Sequence, residues 1–419
     1  MSNDSFSFKP ESRMMSYGYK SELSEGAIKC PIFQTSTFEF KTAEDGKAFF
    51  EVAYGIRDKA DKEELGLIYS RLNNPDLEIL ENRLCLWDDA EECAVFESGM
   101  SAITTCFLEF LRPGDILLYS NPLYGGTSHF IQHILPEWGV KILCYDAFST
   151  NEEIKAKIRK EAKGNRLAMI YLETPANPTN RLFDISAASQ LAADFATDEY
   201  KPVVAVDNTY LGPIWQNPIR HGADLVLYSA TKYIGGHSDV IAGACLGSKE
   251  LIRRLKGLRT FMGNMAGPWT GWLLMRSLET LKVRMTKQLE NARKVADFLK
   301  SHPKVDKVWY LGHLTESDGM QYEIFNRQCE SSGAMISFEV KGGEKEAFTF
   351  LNHTRLIKLA VSLGSTESLA QHPASMTHAG VDPEERNELG ISEQMVRLSI
   401  GIEHSDDIIS DIQQALDFI

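Results

Sequence analysis

The middle of the chain alternates short apolar runs with segments of helical periodicity. The apolar runs lie at residues 94–96, 116–119, 140–145, 167–172, 203–206 and 224–228. The helical segments between them lie at residues 101–110, 152–162 and 185–195. Apolar strands that alternate with helices are typical of a mostly parallel sheet covered on both faces. The pattern therefore predicts an α/β domain, in which a ligand would bind at the carboxyl ends of the strands.

The pattern differs at the two ends of the chain. The start is polar and poorly periodic and includes a dense charge run at residues 58–64, which favours an extended arm with a solvated loop or helix face. Residues 269–299 are amphipathic and predict one helix, or a broken pair, that bridges two domains. Beyond them, the pattern predicts strands at residues 334–340 and 396–400 and a closing helix at 406–418, as in a small α+β domain.

These patterns divide the chain into three predicted parts. They are an N-terminal arm at residues 1–75, a large ligand-binding domain at 76–275 and a C-terminal domain with its bridging helix at 276–419. A chain of 419 residues is long for one core and suits two domains. Its hydrophobic content of 43% argues against disorder in most of the chain.

Charge and cysteine content exclude several kinds of partner. A net charge of −14 leaves no basic surface for nucleic acid, although a few arginines in a pocket could still bind an anionic substrate. Seven cysteines without a CxxC pair predict reduced core residues, with no metal site and no disulfide framework. The N-terminus lacks a signal-like pattern, and no apolar stretch approaches membrane-spanning length. The composition predicts a soluble cytoplasmic protein with no membrane or nucleic-acid partner.

Lys232 lies just after the apolar run 224–228, between the hydroxyl residues Ser229 and Thr231. An amine and a phosphate-binding edge at one strand end are what the aldehyde and phosphate of pyridoxal phosphate require. For this motif alone, an ordinary surface lysine is an equally good interpretation. Asp207 follows another apolar run, and a carboxylate facing a pyridine nitrogen keeps that nitrogen protonated. Although such an aspartate is usually a turn former or helix cap, the pair favours a cofactor site.

Ser98, Gly99 and Met100 follow a predicted strand and open a predicted helix. The free N–H groups at a helix start bind phosphate, and glycine lets the backbone approach closely. A capped helix start without a ligand is the alternative. Together with Ser229 and Thr231, this turn predicts a three-sided phosphate cup.

Three further side chains are candidates for contact with a cofactor or substrate. Tyr124 lies on a tight turn, where its ring could stack on a cofactor and its phenol exchange protons, although a surface tyrosine is the alternative. Asn177 follows a strand and could donate to a cofactor oxygen or a carboxylate. Arg397 interrupts an apolar strand, which is costly unless it meets an anion. An amino acid carboxylate would satisfy it, and a structural ion pair is the alternative.

With the segments at residues 69–75, 362–364 and 372–378, these motifs span nearly the whole chain. The chain resembles the cystathionine γ-synthase-like (Cys/Met metabolism) family of fold-type I pyridoxal phosphate (PLP)-dependent enzymes. The resemblance implies an aspartate aminotransferase-like fold, with a mostly parallel seven-stranded sheet and a smaller α+β C-terminal domain. It also implies PLP as the cofactor and a sulfur amino acid as the substrate.

The resemblance implies a role for each motif. Lys232 would form the Schiff base with PLP, Asp207 would pair with the pyridine nitrogen, and Tyr124 would stack on the ring. The implied phosphate ligands are Ser98, Gly99, Met100, Ser229 and Thr231. Tyr69 and Arg71 match residues that reach into the neighbouring subunit's phosphate site. An active site would therefore need a homodimer, usually within a homotetramer, and the N-terminal arm would clasp the neighbouring subunit.

The substrate side of the site determines the reaction. The resemblance implies that Arg397, Ser362 and Asn177 hold the substrate carboxylate. The run at residues 359–378 resembles methionine γ-lyases and homocysteine-forming sulfhydrylases. Val361 stands where cystathionine-processing members usually carry a glutamate, and an apolar residue suits an apolar thioether tail.

The sequence therefore favours γ-elimination of methionine or a related thioether to an α-keto acid, ammonia and a thiol. Gly126 stands where methionine γ-lyases typically have a cysteine, and the segment at residues 54–66 is longer than usual. A γ-replacement enzyme (cystathionine γ-synthase or O-acetylhomoserine sulfhydrylase) and a cystathionine β- or γ-lyase are the alternatives. A non-catalytic binding protein of the same fold is disfavoured because the chain has the complete set of Lys232, Asp207, Tyr124 and Arg397.

Overall fold

The computed structural model of the protein describes residues 8–61, 63 and 65–419. Residues 1–7 of the predicted arm, and residues 62 and 64 of the predicted charge run, lie outside the described residues. The described part of the arm includes the α-helices α1 (Pro10–Arg13) and α2 (Ala43–Ala53). The prediction of an extended arm is wrong for α2, which Thr42 caps by accepting a hydrogen bond from a backbone amide of the first turn.

Within the described chain, a seven-stranded sheet forms the centre of the large domain. Its strands are β1 (Glu92–Phe96), β2 (Ile116–Ser120), β3 (Lys141–Tyr145), β4 (Leu167–Glu173), β5 (Val203–Asp207), β6 (Leu225–Ser229) and β7 (Gly243–Gly247). Their order across the sheet is β1-β7-β6-β5-β4-β2-β3. Strand β7 runs antiparallel to β1 and β6, and the other neighbours are parallel. The predicted mostly parallel sheet is confirmed.

Helices cover both faces of this sheet, because consecutive apolar residues of its strands point to opposite sides. The helices of the large domain are α3 (Pro75–Asp88), α4 (Gly99–Phe110), α5 (Gly125–His129), α6 (Asn151–Ala162), α7 (Ile185–Asp194) and α8 (Lys249–Met262). Leu117 of β2 packs in one core with Phe107 of α4 and residues of α8. The next residue, Leu118, packs in the opposite core with Ile158 of α6 and Leu191 of α7.

The C-terminal part of the described chain has a second, five-stranded sheet. Its helices are α9 (Pro268–Leu278), α10 (Leu281–Ser301), α11 (Met320–Gln328), α12 (Glu344–His353), α13 (Pro383–Glu388) and α14 (Ser405–Leu416). Its strands are β8 (Val305–Trp309), β9 (Met335–Val340), β10 (Lys358–Leu359), β11 (Leu369–Gln371) and β12 (Met395–Ser399), in the order β10-β11-β12-β9-β8. The break between α9 and α10 confirms the broken helix pair. The predicted division at residue 275 falls inside α9, and the three-part division stays a prediction.

Other sequence predictions concern cysteines, metals and membranes. All seven cysteines are free, and each is buried or half-buried. In the part of the chain that the structure describes, no group of three His, Cys, Asp or Glu residues is arranged to hold a metal ion. None of the described helices is both long enough and apolar enough to cross a membrane.

Candidate active site

The carboxyl ends of β4, β5 and β6 open into a cavity of about 490 Å³. It is lined by Ser98, Gly99, Met100, Ile103, Tyr124, Glu173, Asn177, Asp207, Thr209, Tyr210, Ser229, Thr231, Lys232, Ile241, Val361, Ser362, Leu363, Met376, Thr377 and Arg397. Every site residue predicted from the sequence is among them, except Tyr69 and Arg71. The cavity lies where ligands of parallel sheets bind.

Lys232 extends from the turn that follows β6. Its Nζ donates a 2.8 Å hydrogen bond to Ser362 Oγ. Burial, and secondarily the charge of Arg397, lower the pKa of Lys232 to about 8. A lysine with such a pKa has a substantial neutral fraction near pH 8, and a neutral amine is the form that attacks an aldehyde or accepts a proton.

The start of α4 forms one side of the cavity. Ser98 caps the helix, because its Oγ accepts a 3.0 Å hydrogen bond from the Ser101 amide. A Cβ atom on Gly99 would lie 2.8 Å from Ser229 Cβ, so only glycine lets the helix start approach the end of β6 this closely. The helix N-terminus therefore lies beside Ser229, and Thr231 lines the same cavity, which together supply donors suited to an anion.

Asp207 is the last residue of β5 and is buried, with 6% of its surface exposed. Its Oδ1 accepts a 3.0 Å hydrogen bond from the Thr209 amide, and its Oδ2 accepts one of 3.3 Å from the Tyr171 hydroxyl. Burial raises the pKa of Asp207. A buried carboxylate in this position is stabilised by a cationic partner, and a protonated pyridine nitrogen would be one.

Arg397 lies on β12 and is 2% exposed. Its Nη1 donates to Asn177 Oδ1 at 3.1 Å and its Nη2 to the Ser362 carbonyl at 2.5 Å. Among the described residues, Nε has no hydrogen-bond partner and no carboxylate pairs with the guanidinium. The structural ion pair considered from the sequence is therefore absent from the described chain, and a buried cation without an anion calls for a ligand that supplies one.

Tyr124 follows β2 and directly precedes α5, and 44% of its surface is exposed. Its backbone N–H donates a 2.7 Å hydrogen bond to Glu173 Oε2. A Cβ atom on Gly126 would lie 2.7 Å from Tyr124 Cε1, so any larger residue there would displace the ring. The observed position of the Tyr124 ring therefore requires glycine at position 126.

Tyr69 and Arg71 lie outside the cavity of their own chain. Arg71 Nη1 donates a 2.6 Å hydrogen bond to the Thr260 carbonyl, and its guanidinium carbon lies 5.9 Å from the Tyr69 ring centroid. Tyr69 is 39% exposed. Neither residue contributes to the cavity within a single chain.

Sequence reasoning missed several lining residues. Glu173 and Thr209 carried a signal, because each lies at or just after the end of an apolar run. Tyr210 follows Thr209 in the same segment. Leu363, Met376 and Thr377 lie in segments that carried the family resemblance but received no role of their own, and Ile241 lies in a loop that no pattern marked.

The residues present fit PLP. The α4 N-terminus with Ser229 and Thr231 suits a phosphate, Lys232 suits an aldehyde, and Asp207 suits a pyridinium. The fold and cavity thus define a fold-type I PLP-dependent enzyme.

Comparison with known proteins identifies the family. The profile of the Cys/Met metabolism PLP-dependent enzymes matches residues 11–417. The chain is 41% identical over 396 residues to the L-methionine gamma-lyase of Fusobacterium nucleatum subsp. nucleatum, covering 94% of each chain. It is 41% identical over 406 residues to that of Pseudomonas putida, covering 96% of each. The chain therefore belongs to the Cys/Met metabolism PLP-dependent enzyme family, and its cofactor is PLP.

Solved structures agree with this assignment. A cystathionine gamma synthase from Xanthomonas oryzae pv. oryzae, in complex with aminoacrylate and cysteine, superposes with a TM-score of 0.86 at 31% identity, covering 98% of each chain. The predictions of the fold class, the family and the cofactor are confirmed.

Proposed function

We propose that the protein is a PLP-dependent carbon–sulfur lyase that converts methionine or a related thioether, by γ-elimination, to an α-keto acid, ammonia and a thiol. The observation that carries the proposal is the composition of the cavity. The buried guanidinium of Arg397, which pairs with no carboxylate of the described residues, lines the same cavity as the apolar side chains of Ile241, Val361 and Met376. A substrate with a carboxylate at one end and an uncharged thioether at the other satisfies both features. The methionine gamma-lyases among the relatives support the same choice.

The carboxylate end of the substrate would be held by Arg397, with Asn177 and Ser362 beside it. The free Nε and the in-plane donors of a guanidinium suit a two-point contact with a carboxylate. Asn177 and the Ser362 carbonyl already orient the guanidinium through the hydrogen bonds at Nη1 and Nη2. The substrate Cα would then lie near Lys232, which donates to the side chain of the same Ser362.

Lys232 would move the protons of the reaction. When bound, PLP supplies an electron-accepting ring that stabilises negative charge on the substrate, and Asp207 keeps the ring nitrogen protonated. The Lys232 amine, with a pKa lowered to about 8, is suited to take the proton from Cα and, after it has released that proton, to take one from Cβ. The Tyr124 phenol, at the cavity wall, is placed to give a proton to the departing sulfur.

The complete site is proposed to form only in a homodimer, usually within a homotetramer. Arg71 and Tyr69 lie outside their own chain's cavity and at its surface, where they are available to a neighbouring phosphate site. Large apolar side chains are exposed at Phe261 and Trp269, with 86% and 56% of their surface accessible. Burial of such side chains in a subunit interface would stabilise the dimer. A cytoplasmic location remains a prediction.

A γ-replacement reaction is the second candidate. The similarity to a cystathionine gamma synthase structure and the glycine at position 126 favour it. In γ-replacement, a thiol bonds to the carbon chain of the substrate, which γ-elimination would instead release as the α-keto acid. An added thiol would therefore lower the yield of keto acid and give a new thioether.

The test is an assay of α-keto acid release from methionine, cystathionine and cysteine, with and without an added thiol. We expect keto acid and ammonia from methionine in equal amounts, with no requirement for the thiol. Lys232→Ala is the control and should release none. A product that forms only when thiol is present would replace the lyase proposal with γ-replacement.

A further inference from the structure

Glu173 is a buried carboxylate that the sequence motifs do not assign to any role. It is the last residue of β4, is 3% exposed and lies in register with Asp207 on the neighbouring strand β5. Burial, and secondarily the charge of Asp207, raise the pKa of Glu173, whereas the hydrogen bonds from the Tyr124 and Asn177 amides and the charge of Arg397 favour its ionised form. A neutral side chain would avoid the cost of placing a second carboxylate here. The presence of the carboxylate therefore requires a specific interaction that offsets this cost.

Both carboxylate oxygens of Glu173 accept hydrogen bonds from the backbone of site residues. Oε2 accepts from the Tyr124 N–H at 2.7 Å, and Oε1 accepts from the Asn177 N–H at 3.0 Å. The Glu173 amide in turn donates to Ser120 Oγ on β2 at 3.0 Å. Because each oxygen faces an N–H donor, only a group with two acceptors satisfies this position.

The two amides that Glu173 holds belong to different parts of the site. One amide is that of Tyr124, whose ring would stack on the cofactor. The other is the backbone amide of Asn177, whose side-chain oxygen Oδ1 accepts the 3.1 Å hydrogen bond from Arg397. Glu173 therefore connects the cofactor side of the cavity to its carboxylate-binding side through one side chain.

We propose that Glu173 is a positioning residue that fixes the Tyr124 ring over the cofactor and, through Asn177, orients Arg397 for the substrate carboxylate. The proposal rests on the proposed function for the roles of Tyr124 and Arg397. It goes beyond that function because it assigns to Glu173 the positions of both the Tyr124 ring, on the cofactor side of the cavity, and Arg397, on the carboxylate-binding side.

Two substitutions separate the hydrogen bonds of Glu173 from its charge. Glu173→Gln and Glu173→Met both replace the ionisable carboxyl beside Asp207 with a neutral group and keep the length of the side chain. Glutamine retains one acceptor oxygen, whereas methionine retains no comparable acceptor. Weaker effects in Glu173→Gln than in Glu173→Met would therefore report the one acceptor oxygen that glutamine keeps. Ser120→Ala is the matched control, because it removes a hydrogen bond to the Glu173 backbone and leaves the carboxylate intact.

The first measurement is the PLP dissociation constant of cofactor-free protein, with Tyr124 present and with Tyr124→Ala. In the presence of the ring, we expect the constant to rise about tenfold in Glu173→Met and by a smaller factor in Glu173→Gln, since a hydrogen bond to a charged group is worth about that factor. With Tyr124→Ala, the effect of Glu173→Met should fall below about twofold, because no ring remains to be positioned. Ser120→Ala should change the constant by less than about twofold.

The second measurement is kcat and KM for methionine in the same proteins. Glu173→Met should lower kcat and raise KM, whereas Ser120→Ala should lower the unfolding temperature without changing either constant. The proposal is overturned if Glu173→Met binds PLP as the parent does, or if its effect is the same with and without the Tyr124 ring. A parent protein without methionine activity would contradict the proposed function, while the PLP measurement would still decide the role of Glu173.

Discussion

Lys232 and Ser362 are in contact across the boundary between the two sheets, because Lys232 Nζ donates to Ser362 Oγ at 2.8 Å. Lys232 follows β6 of the large sheet, and Ser362 lies between β10 and β11 of the second sheet. Ser362 has a φ of 99°, in the region that side-chain-bearing residues rarely adopt. The amine proposed to bind PLP is therefore held by a residue in an unfavourable backbone conformation.

Two substitutions of Ser362 should separate the effect of its backbone strain from the effect of its hydrogen bond to Lys232. Glycine accepts a φ of 99° whereas alanine does not, so Ser362→Gly should be more stable than Ser362→Ala by about 1 kcal/mol. Both variants should turn over methionine more slowly, because each removes the hydroxyl that orients Lys232. Thermal unfolding and kcat measure the two effects, and equal unfolding temperatures would show that the conformation stores no strain.

The lowered pKa of Lys232 predicts how cofactor capture depends on pH. The neutral amine is the nucleophile, so the rate at which PLP attaches to cofactor-free protein should rise with pH and level off above about 8. Because the Arg397 charge contributes to the shift, Arg397→Met should move the midpoint to higher pH. Absorbance of the attached cofactor follows the rate. A midpoint near the ordinary lysine value of about 10.4 in the parent would contradict this prediction.

Arg71 and Lys232 should complement each other between subunits. Neither Arg71→Ala nor Lys232→Ala chains should be fully active alone, and Lys232→Ala should be inactive. In a mixed dimer, one site would combine Lys232 of the first variant with Arg71 of the second, so mixing should increase activity above that of either protein. Subunit exchange is verified with differently tagged chains. If exchange occurs and activity does not increase, Arg71 acts within its own chain.

Asp88 should make stability depend on pH. It is 1% exposed, its Oδ1 accepts from the Tyr228 hydroxyl at 2.8 Å, and within the described chain its Oδ2 has no hydrogen-bond partner. Burial raises the pKa of Asp88 to about 8. The folded state thus holds a proton that the unfolded state releases above about pH 4. Its contribution to stability is fully present below that pH and is lost as the pH rises towards 8.

Replacement of this acid by its neutral analogue should remove the dependence. Asp88→Asn should match the parent near pH 4 and exceed its free energy of unfolding near pH 8, by on the order of a few kcal/mol. Asp89→Asn is the control, because Asp89 is exposed and its pair with Arg220 is of the kind that contributes little. Parallel stability curves of Asp88→Asn and the parent from pH 4 to 8 would refute the prediction.

Local patterns predicted most of the large domain. The apolar runs marked β1 to β6 because helices cover both faces of this sheet, so that most of its strands are rich in apolar residues on both sides. Strand β7 escaped this reasoning, since Gly243–Gly247 contains no β-branched or aromatic residue and has glycine at both ends. Helix α2 escaped it as well, because it is short, contains a glycine in its first half and buries no residue other than Gly46. Both elements depend on their neighbours more than on their own periodicity.

The same contrast holds for the site. Arg397 was predictable because a cation in an apolar strand has few explanations, and Lys232 and Asp207 because each follows a strand. Glu173 was not singled out, since its role depends on the Tyr124 and Asn177 amides, which only the folded chain brings to its two oxygens. The backbone conformation of Ser362 left no trace in the sequence.

Val361 provides the most direct test of the proposed preference for methionine. It lines the cavity with 55% of its surface exposed. The acids among the described lining residues are Glu173 and Asp207, and both already accept hydrogen bonds from the protein. At Val361, the distal ammonium of cystathionine would therefore meet no free carboxylate to offset the water that it loses on binding. Val361→Glu would supply such a carboxylate.

The measurement is kcat/KM for methionine and for cystathionine in the parent and in Val361→Glu. The parent should prefer methionine, and Val361→Glu should shift the ratio toward cystathionine while lowering turnover of methionine. Val361→Leu, which keeps the wall apolar, should retain the parent's preference. If the parent already prefers cystathionine, the methionine γ-lyase proposal is contradicted and the protein is a cystathionine-processing enzyme.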